Sequence, residues 1–276
     1  LPDQWILTKY MDAVRDVSAY MENADYGLAA QKLYDFIWSE FCDWYIELAK
    51  GGLLGENIER KKAVRAVLQT VLSGLLRLLH PFMPFVTEEV YRHLPGCAGE
   101  SCMLSKWPEF DAAICFKDQA AQMEGIMDMV RSIRNLRSQL NVQTGHKARL
   151  MIRPAEGWKD VLGGAEEYFK RLANTSHMEE IEKGQLIPEK TVGAVCPAGE
   201  LFIPLGDLVD LEKEKARLNK ESENLENEIR RSEAKLQNPG FMGKAPEALV
   251  QSEREKLASN RQMLATLAQR IAEMNA

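Results

Sequence analysis

The chain has 276 residues, 45% of them hydrophobic and 28% charged, which is enough for two or three compact units with a sizeable core. A formal net charge of −6 excludes a uniformly basic nucleic-acid-binding protein but leaves room for a local basic face. No apolar run approaches the roughly 20 residues of a membrane span. The first residue is Leu1, so we expect a piece of a longer protein.

The first third of the chain predicts a helical bundle. Apolar residues recur every three or four positions in helices expected at about 2–21, 25–50, 59–79 and 84–94. Gly51-Gly52 is expected to end the second of these helices, because glycine disfavours a helix interior. Short connections between consecutive helices favour antiparallel neighbours.

The middle of the chain predicts a small α+β module. A helix is expected at about 118–140, followed by a strand at 148–153, where apolar and polar residues alternate. A further helix is expected at about 158–173. More strand-like runs follow at 177–181, 191–196 and 200–204.

The last third, from Asp207 to Ala276, predicts two charged helices that fold back on each other. Between them, Pro239 lacks an N–H donor and Gly240 tolerates positive φ, so one helix cannot continue. Seam residues recur in alternating steps of three and four, as in a coiled coil, although Glu253 and Asn260 weaken the second seam. The first seam comprises Leu208, Leu211, Lys215, Leu218, Ser222, Leu225, Ile229, Ser232 and Leu236, and the second Val250, Glu253, Leu257, Asn260, Leu264, Leu267, Ile271 and Met274.

The predicted fold is therefore mainly α with a small α+β module. It comprises a helical bundle at 1–115, a mixed junction module at 116–206 and an antiparallel coiled-coil hairpin at 207–276. A hairpin of this kind has a narrow apolar seam and no deep pocket, so we expect it to dock or brace.

Residues with catalytic or metal-binding chemistry are scattered. The cysteines are odd in number and form no Cys-x-x-Cys pair, which favours free thiols in a reducing compartment, and we expect a cytoplasmic protein. No two histidines stand four apart, and no glycine-rich phosphate loop occurs. We therefore predict no catalytic residue, no metal site and no cofactor site in this chain. The cysteines are Cys42, Cys97, Cys102, Cys115 and Cys196.

The stretch 34–50 places six aromatic residues in one helix, and two interpretations remain open. In the first, the aromatic side chains are simply core, with one face formed by Ile37, Phe41, Trp44 and Leu48. In the second, the adjoining face holds an unstacked nucleic-acid base, because an apolar group is flanked there by charged hydrogen-bonding groups. That face comprises Asp43, Ile46, Glu47 and Lys50.

Several sequence runs resemble one family. WSEFCDWYIELAK, LLRLLHPFMPFVTEEVY and SKWPEF resemble the anticodon-binding domain of valyl-tRNA synthetases. IRNLRSQLNV and the hairpin with its NPGF-x-x-KAP turn resemble the junction module and C-terminal coiled coil of that family, so the resemblance covers essentially the whole chain. The HPFMPF and WP runs are shared with isoleucyl and leucyl relatives, whereas the turn is more particular to the valyl enzymes.

The resemblance implies a parent enzyme that attaches valine to tRNA(Val) with ATP and edits mischarged threonine. The HIGH and KMSKS signatures of the catalytic domain, where ATP and Mg would bind, are not in this sequence, nor is the editing domain. The resemblance therefore implies a non-catalytic, tRNA-holding region. Its expected partners are tRNA(Val) and the catalytic and editing domains of the same parent chain, with no membrane, and we expect a monomer.

The resemblance also implies two places of contact with tRNA. In the bundle, Ile46 would contact an anticodon base while Lys50 and nearby polar groups hold a base edge or a phosphate. In the hairpin, basic residues would follow phosphates at the tRNA elbow, with Lys256 where the family places a basic residue. These residues are Arg254, Lys256 and Arg261, which could instead pair with Glu253 and Glu255 as an ordinary helix surface.

Two alternatives of different kinds stay open at the level of sequence. The chain could be a coiled-coil protein interaction module in which the bundle is only an anchor. It could also belong to a synthetase of isoleucyl or leucyl specificity, against which the NPGF turn and the absence of terminal cysteine pairs count.

Overall fold

The computed structural model describes residues 1–97, 101–142, 145–182, 184–208, 211–238, 240 and 246–275. Within these ranges, side chains are described everywhere except at 211–218, 248 and 269–275. In the described part of the chain, no helix has both the length and the apolar character needed to cross a bilayer.

The first part of the chain is the expected helical bundle. Its connections are short, and Asn57 caps the fourth helix by accepting a hydrogen bond from the backbone N–H of Arg60. The helices are α1 (Pro2–Glu22), α2 (Tyr26–Asp35), a π-helical stretch (Phe36–Tyr45), α3 (Ile46–Leu54), α4 (Ile58–Leu79) and α5 (Pro84–Arg92).

The prediction that Gly51-Gly52 ends the second helix is wrong, because α3 continues to Leu54. These glycines permit close packing instead. A Cβ atom on Gly51 would lie 2.8 Å from Nη1 of Arg171, and one on Gly52 would lie 2.8 Å from Cγ2 of Val64. The helix tolerates two poor helix formers because neighbouring side chains occupy the space beside them.

The aromatic stretch is π-helical from Phe36 to Tyr45, and one side of it is buried. The core interpretation is confirmed for Phe41, Trp44 and Leu48, which are buried, while Ile37 is half-buried against the same core. A π-helix shifts the side chains that follow it around the helix axis, and such stretches are often found at functional sites. Phe36 and Tyr45 are buried as well, whereas Tyr34 and Trp38 are 58% and 53% exposed, so the core interpretation is wrong for those two side chains.

The middle module contains helix α6 (Lys117–Gln139) and a four-stranded sheet. The strand order is β2-β1-β4-β3; β1 pairs with β2 in parallel, and the other two pairs are antiparallel. The strands are β1 (Ala148–Pro154), β2 (Thr175–Glu180), β3 (Thr191–Cys196) and β4 (Gly199–Pro204).

The single helix expected at about 158–173 is wrong. The structure has two short helices, α7 (Lys159–Gly163) and α8 (Glu166–Leu172), separated by Gly164 and Ala165. Gly163 and Gly164 weaken the helix, and Ala165 is fully buried, so the chain turns there to reach the core.

One apolar core extends from the bundle into the module, and α6 connects the two. Met123, Ile126 and Ile133 of α6 are fully buried, as is Leu150 of β1, within this core. The boundary expected at 115/116 stays a prediction.

The last part of the chain forms the expected antiparallel hairpin. Asp207 lies in the short helix α9 (Leu205–Leu208), and the arm, as we call the hairpin, consists of α10 (Leu211–Gln237) and α11 (Glu247–Asn275). The two long helices pack chiefly against each other. Pro239 and Phe241 of the expected turn lie outside the described residues, as do the side chains of Leu211, Lys215, Leu218, Ile271 and Met274.

The seam of the arm is confirmed within α10 and α11 wherever side chains are described. The prediction is wrong for Leu208, which lies in α9 and is buried in the core shared by the bundle and the module. The other seam residues with described side chains are all buried or half-buried, including the polar ones. Oγ of Ser232 donates to Oε1 of Glu253 at 2.7 Å, and Nζ of Lys235 lies 3.5 Å from Oε2 of the same carboxylate. The polar residues of the two seams therefore contact each other across the arm.

Candidate nucleic-acid interface

The predicted anticodon face lies at the junction of the π-helical stretch and α3. Asp43 and Lys50 are exposed, whereas Glu47 is half-buried and forms an ion pair with Lys50. Ile46 is half-buried and packs partly against the core, so only part of its side chain is open to a ligand. The four residues stay a predicted site, with Glu47 and Lys50 brought into direct contact.

A cavity of about 290 Å³ adjoins this face. It lies between α3, α4 and α8, and its lining includes Glu47, Gly51, Arg60, Tyr168 and Arg171. The anticodon face thus continues into a concave surface shared with the junction module.

A partly buried network holds the end of the π-helical stretch beside α1 and α4. Oη of Tyr45 donates to Oδ1 of Asp3 at 2.9 Å, and Arg60 forms an ion pair with the same carboxylate. Burial raises the pKa of Tyr45, and the neighbouring Asp3 carboxylate acts in the same direction. The hydroxyl therefore stays a proton donor at neutral pH, and it ties the first residues of the chain to the aromatic stretch.

The predicted elbow residues all lie on the exposed surface of α11, but their partners differ from the sequence expectation. Nζ of Lys256 is 2.8 Å from Oε2 of Glu228, and Nη2 of Arg261 is 2.6 Å from Oε1 of Glu233. Pairing within α11 to Glu253 or Glu255 is therefore wrong for these two cations, because the facing helix α10 supplies both carboxylates. Arg254 is exposed and forms no ion pair with any residue that the structure describes.

The ion pair between Lys256 and Glu228 shifts the pKa values of both side chains. The ammonium group of Lys256 holds the pKa of Glu228 below its ordinary value, and hydrogen bonding to Glu228 raises the pKa of Lys256. Both groups are therefore charged at neutral pH. Because the pair is exposed to solvent, it contributes only modestly to stability.

Sequence reasoning missed a cationic cluster around Trp44. The guanidinium carbons of Arg131 and Arg134, both on α6, lie 5.0 Å and 5.4 Å from the centroid of its ring. The IRNLRSQLNV run contains Arg134, but its contact with an aromatic residue of the first helices depends on packing between distant segments. Arginine stacked on an aromatic face is held in a defined orientation.

Comparison with known proteins gives two family matches. Residues 3–152 match the model described as the anticodon-binding domain of tRNA ligase. Residues 210–275 match the model described as the valyl tRNA synthetase tRNA binding arm.

Curated relatives match almost the entire chain. The valine–tRNA ligase of Clostridium perfringens is 44% identical over 271 residues, which cover 98% of this chain and 31% of that protein. The enzyme of Clostridium acetobutylicum is 41% identical over 272 residues, with 99% and 31% covered. That of Bacillus anthracis is 39% identical over 273 residues, with 99% and 31% covered. The chain thus spans about a third of the length of these relatives.

The first family model covers more than half of the chain and includes the bundle and α6, while the second coincides with the arm. Each motif quoted from the sequence lies inside one of these two matched regions. The chain belongs to the anticodon-binding domain family of tRNA ligases, and carries after that domain the tRNA-binding arm of the valyl-tRNA synthetases.

Proposed function

We propose that this chain is the tRNA-holding, non-catalytic C-terminal region of a valine–tRNA ligase, and that it recognises the anticodon and the elbow of tRNA(Val). The observation that carries the proposal is the presence of two tRNA-binding family matches, at 3–152 and 210–275, in one chain. Two separated contacts suit a folded RNA, which is recognised largely by its shape.

The proposal extends to the parent protein. The parent attaches valine to tRNA(Val) with ATP and Mg in a catalytic domain and removes mischarged threonine in an editing domain. This chain holds the tRNA for both domains and takes no part in bond making. We further propose that the parent acts as a monomer in the cytoplasm.

At the anticodon face, the proposed chemistry uses each side chain differently. The carboxylates of Asp43 and Glu47 accept hydrogen bonds from the amino groups of unstacked bases, and the open part of Ile46 contacts a base surface. Lys50 holds a base edge or a phosphate. Because Lys50 is paired with Glu47, RNA binding must exchange one partner for another.

At the elbow, the three cations differ in availability. Arg254 forms no ion pair with a described residue, so its guanidinium group is open to a phosphate. Lys256 and Arg261 must first give up Glu228 and Glu233. We therefore propose that Arg254 makes the strongest single contact of the three.

The alternative function, a coiled-coil module for protein interaction, is favoured by one observation. Leu249 and Met263 are large apolar side chains on α11 that are 50% and 47% exposed. They stand fourteen positions apart, which places them on one face of a coiled-coil helix. An apolar contact through this face would change little with salt, whereas phosphate binding weakens steeply.

The test is a fluorescence anisotropy titration of the chain with tRNA(Val) and with a tRNA of another identity, at two salt concentrations. We expect tighter binding of tRNA(Val) at both concentrations and a strong decrease of both affinities with salt. Equal affinity for the two tRNAs would remove the proposed recognition of tRNA(Val). Failure to bind either tRNA would leave the protein interaction module as the better description.

The arm is tested with charge variants. Arg254→Gln is expected to weaken tRNA(Val) binding about threefold to tenfold, as loss of one phosphate contact does. In the complete parent enzyme, Lys256→Glu is expected to raise KM for tRNA and to leave kcat unchanged. The matched control is Arg230→Gln on α10, which removes an exposed arginine that forms no ion pair with a described residue. If Arg254→Gln and Arg230→Gln have the same effect, the elbow assignment is wrong.

A further inference from the structure

A basic concave surface lies where α6 meets the end of α8. It encloses about 680 Å³, and we call it the arginine groove. Its polar lining consists of three guanidinium groups, one hydroxyl and two amides, and none of the described residues that line it is Asp or Glu. These residues are Arg134, Arg137, Arg171, Ser138, Asn141 and Asn174.

Two exposed guanidinium groups of the groove keep their positive charge without a carboxylate partner among the described residues. These groups belong to Arg134 and Arg171. Of the four cations on the predicted RNA-contact faces, Lys50, Lys256 and Arg261 are paired with a carboxylate, and Arg254 is the one without an ion pair to a described residue. In a chain with a net charge of −6, such a concentration of uncompensated cations favours an anionic ligand.

Two of the three arginines are held in place. Nε of Arg134 donates to the carbonyl oxygen of Leu172 at 2.8 Å, and its guanidinium group lies over the ring of Trp44. Arg137 is buried and donates to the carbonyl oxygen of His146. Fixed guanidinium groups lose little side-chain entropy when they bind an oxyanion, and their planar shape suits phosphate.

The groove adjoins the cavity beside the anticodon face and a cavity of the arm. Arg171 also lines the cavity beside Glu47, next to the anticodon face. Asn141 also lines a cavity of about 650 Å³ formed by α10 and α11 of the arm. The groove is therefore open to an RNA that contacts the bundle and the arm at the same time.

We propose that the arginine groove binds the phosphate backbone of the RNA between the anticodon and the elbow, an inference that rests on the proposed binding of tRNA. Arg134 and Arg171 contact phosphate oxygens, and the Ser138 hydroxyl and the Asn141 amide donate to phosphate or ribose oxygens. Trp44 is covered by Arg131 and Arg134, so it offers no free ring to a base. The groove therefore contributes affinity without reading the RNA sequence.

The experiment measures salt-dependent binding of the 276-residue chain to tRNA(Val) and to a second tRNA by fluorescence anisotropy. The variants are Arg171→Gln and the double variant Arg134→Gln with Arg171→Gln. For each arginine removed, we expect the slope of log affinity against log salt to fall by about 0.7 to 0.9. The affinity for both tRNAs should fall about threefold to tenfold, and their ratio should stay unchanged.

Two controls separate charge from structure. Arg92→Gln removes an exposed arginine from α5, on another part of the bundle, and should leave the slope unchanged. Arg171→Lys keeps the positive charge and should retain most of the slope. Arg134 also donates to the carbonyl oxygen of Leu172, and Arg171 packs against Gly51, so thermal melts accompany both variants. With an unchanged melting temperature, Arg171→Gln alone is sufficient for the test.

The possible failures are distinguishable. If the wild-type chain prefers tRNA(Val) but Arg171→Gln keeps the wild-type slope, the groove does not bind phosphate and the inference is overturned alone. If the variants lose affinity for tRNA(Val) only, the groove reads sequence and the backbone assignment is wrong. If the slope falls as expected but the wild-type chain shows no preference for tRNA(Val), the groove stands and the proposed recognition fails.

Discussion

Cys102 lies in a small buried cluster with Leu76 and Tyr91, beside the carboxylate of Glu88. Burial raises the pKa of its thiol to about 11, and the negative charge of Glu88 acts in the same direction. The folded protein therefore keeps this thiol neutral at a pH at which an exposed cysteine has begun to ionise.

This raised pKa predicts a loss of stability in alkaline solution. Because the thiol ionises more readily in the unfolded chain, the stability it confers is complete below about pH 9 and is lost as the pH rises towards about 11. Urea unfolding at about pH 8 and about pH 10 should show a smaller decrease in the free energy of unfolding for Cys102→Ala than for wild type. Cys196→Ala, which removes another buried thiol, controls for lost packing. An equal decrease in Cys102→Ala and wild type would contradict the assignment.

At the scale of single residues, positions along one helix could be predicted from the sequence, whereas contacts between distant segments could not. The spacing of Asp43, Ile46 and Lys50 along a helix is visible in the sequence, so the predicted face could be stated before the fold was described. The contact of Arg134 with Trp44 depends on how α6 packs against the first helices, and no local pattern contains it. The pairing of Lys256 with Glu228 likewise depends on the register of the arm.

At the scale of elements, α1 and α4 approach each other closely at Gly74. A Cβ atom there would lie 1.7 Å from Oη of Tyr10, which is buried. Glycine within a helix costs about 1 kcal/mol relative to alanine, so close packing of the two helices must outweigh that cost.

The close contact at Gly74 predicts that replacing glycine with alanine lowers the free energy of unfolding at this position and raises it at Gly27. Gly74→Ala should lower the free energy of unfolding by about 2 kcal/mol or more, because a methyl group forces Tyr10 or the helices to move. Gly27→Ala in α2, where a Cβ atom meets nothing within 4 Å, should raise it by about 0.5 kcal/mol. Urea denaturation of both variants is the measurement. Stabilisation by Gly74→Ala would show that the two helices are not in contact at this point.

Element types followed from periodicity, whereas their ends depended on packing. Helix α4 and strand β3 lie close to where the sequence predicts them, because apolar residues mark their buried faces. Gly51 and Gly52 predict a helix end on propensity alone, yet Arg171 and Val64 turn them into packing positions. The π-helical form of the aromatic stretch also has no signal in the apolar spacing.

At the scale of the whole molecule, the arm and the rest of the fold have separate stabilising contacts. We call the bundle and the junction module together the body. The core of the bundle continues through α6 into the sheet, whereas α10 and α11 pack chiefly on each other. Apolar residues repeat with different spacings in the bundle, the sheet and the arm, so the order of these three parts could be predicted from the sequence. The parallel pairing of β1 with β2 was not predictable, because it depends on how the α7 and α8 segment crosses the sheet.

Separate contacts predict two unfolding transitions in calorimetry. Replacing both Ser232 and Glu253 with Leu exchanges a polar contact in the seam for an apolar one and should raise only the transition of the arm. Gly74→Ala should lower only that of the body. A single transition that both variants shift would show that the arm and the body unfold together.

The ion pairs across the arm have a consequence for selectivity. A phosphate that takes Lys256 from Glu228 is left beside that carboxylate, so repulsion offsets part of the attraction. Arg261 and Glu233 impose the same condition. We therefore expect Lys256 and Arg261 to add less to the binding of a polyanion such as heparin than Arg254, which has no ion pair to a described residue. These two cations would then respond to the outline of a partner more than to its charge.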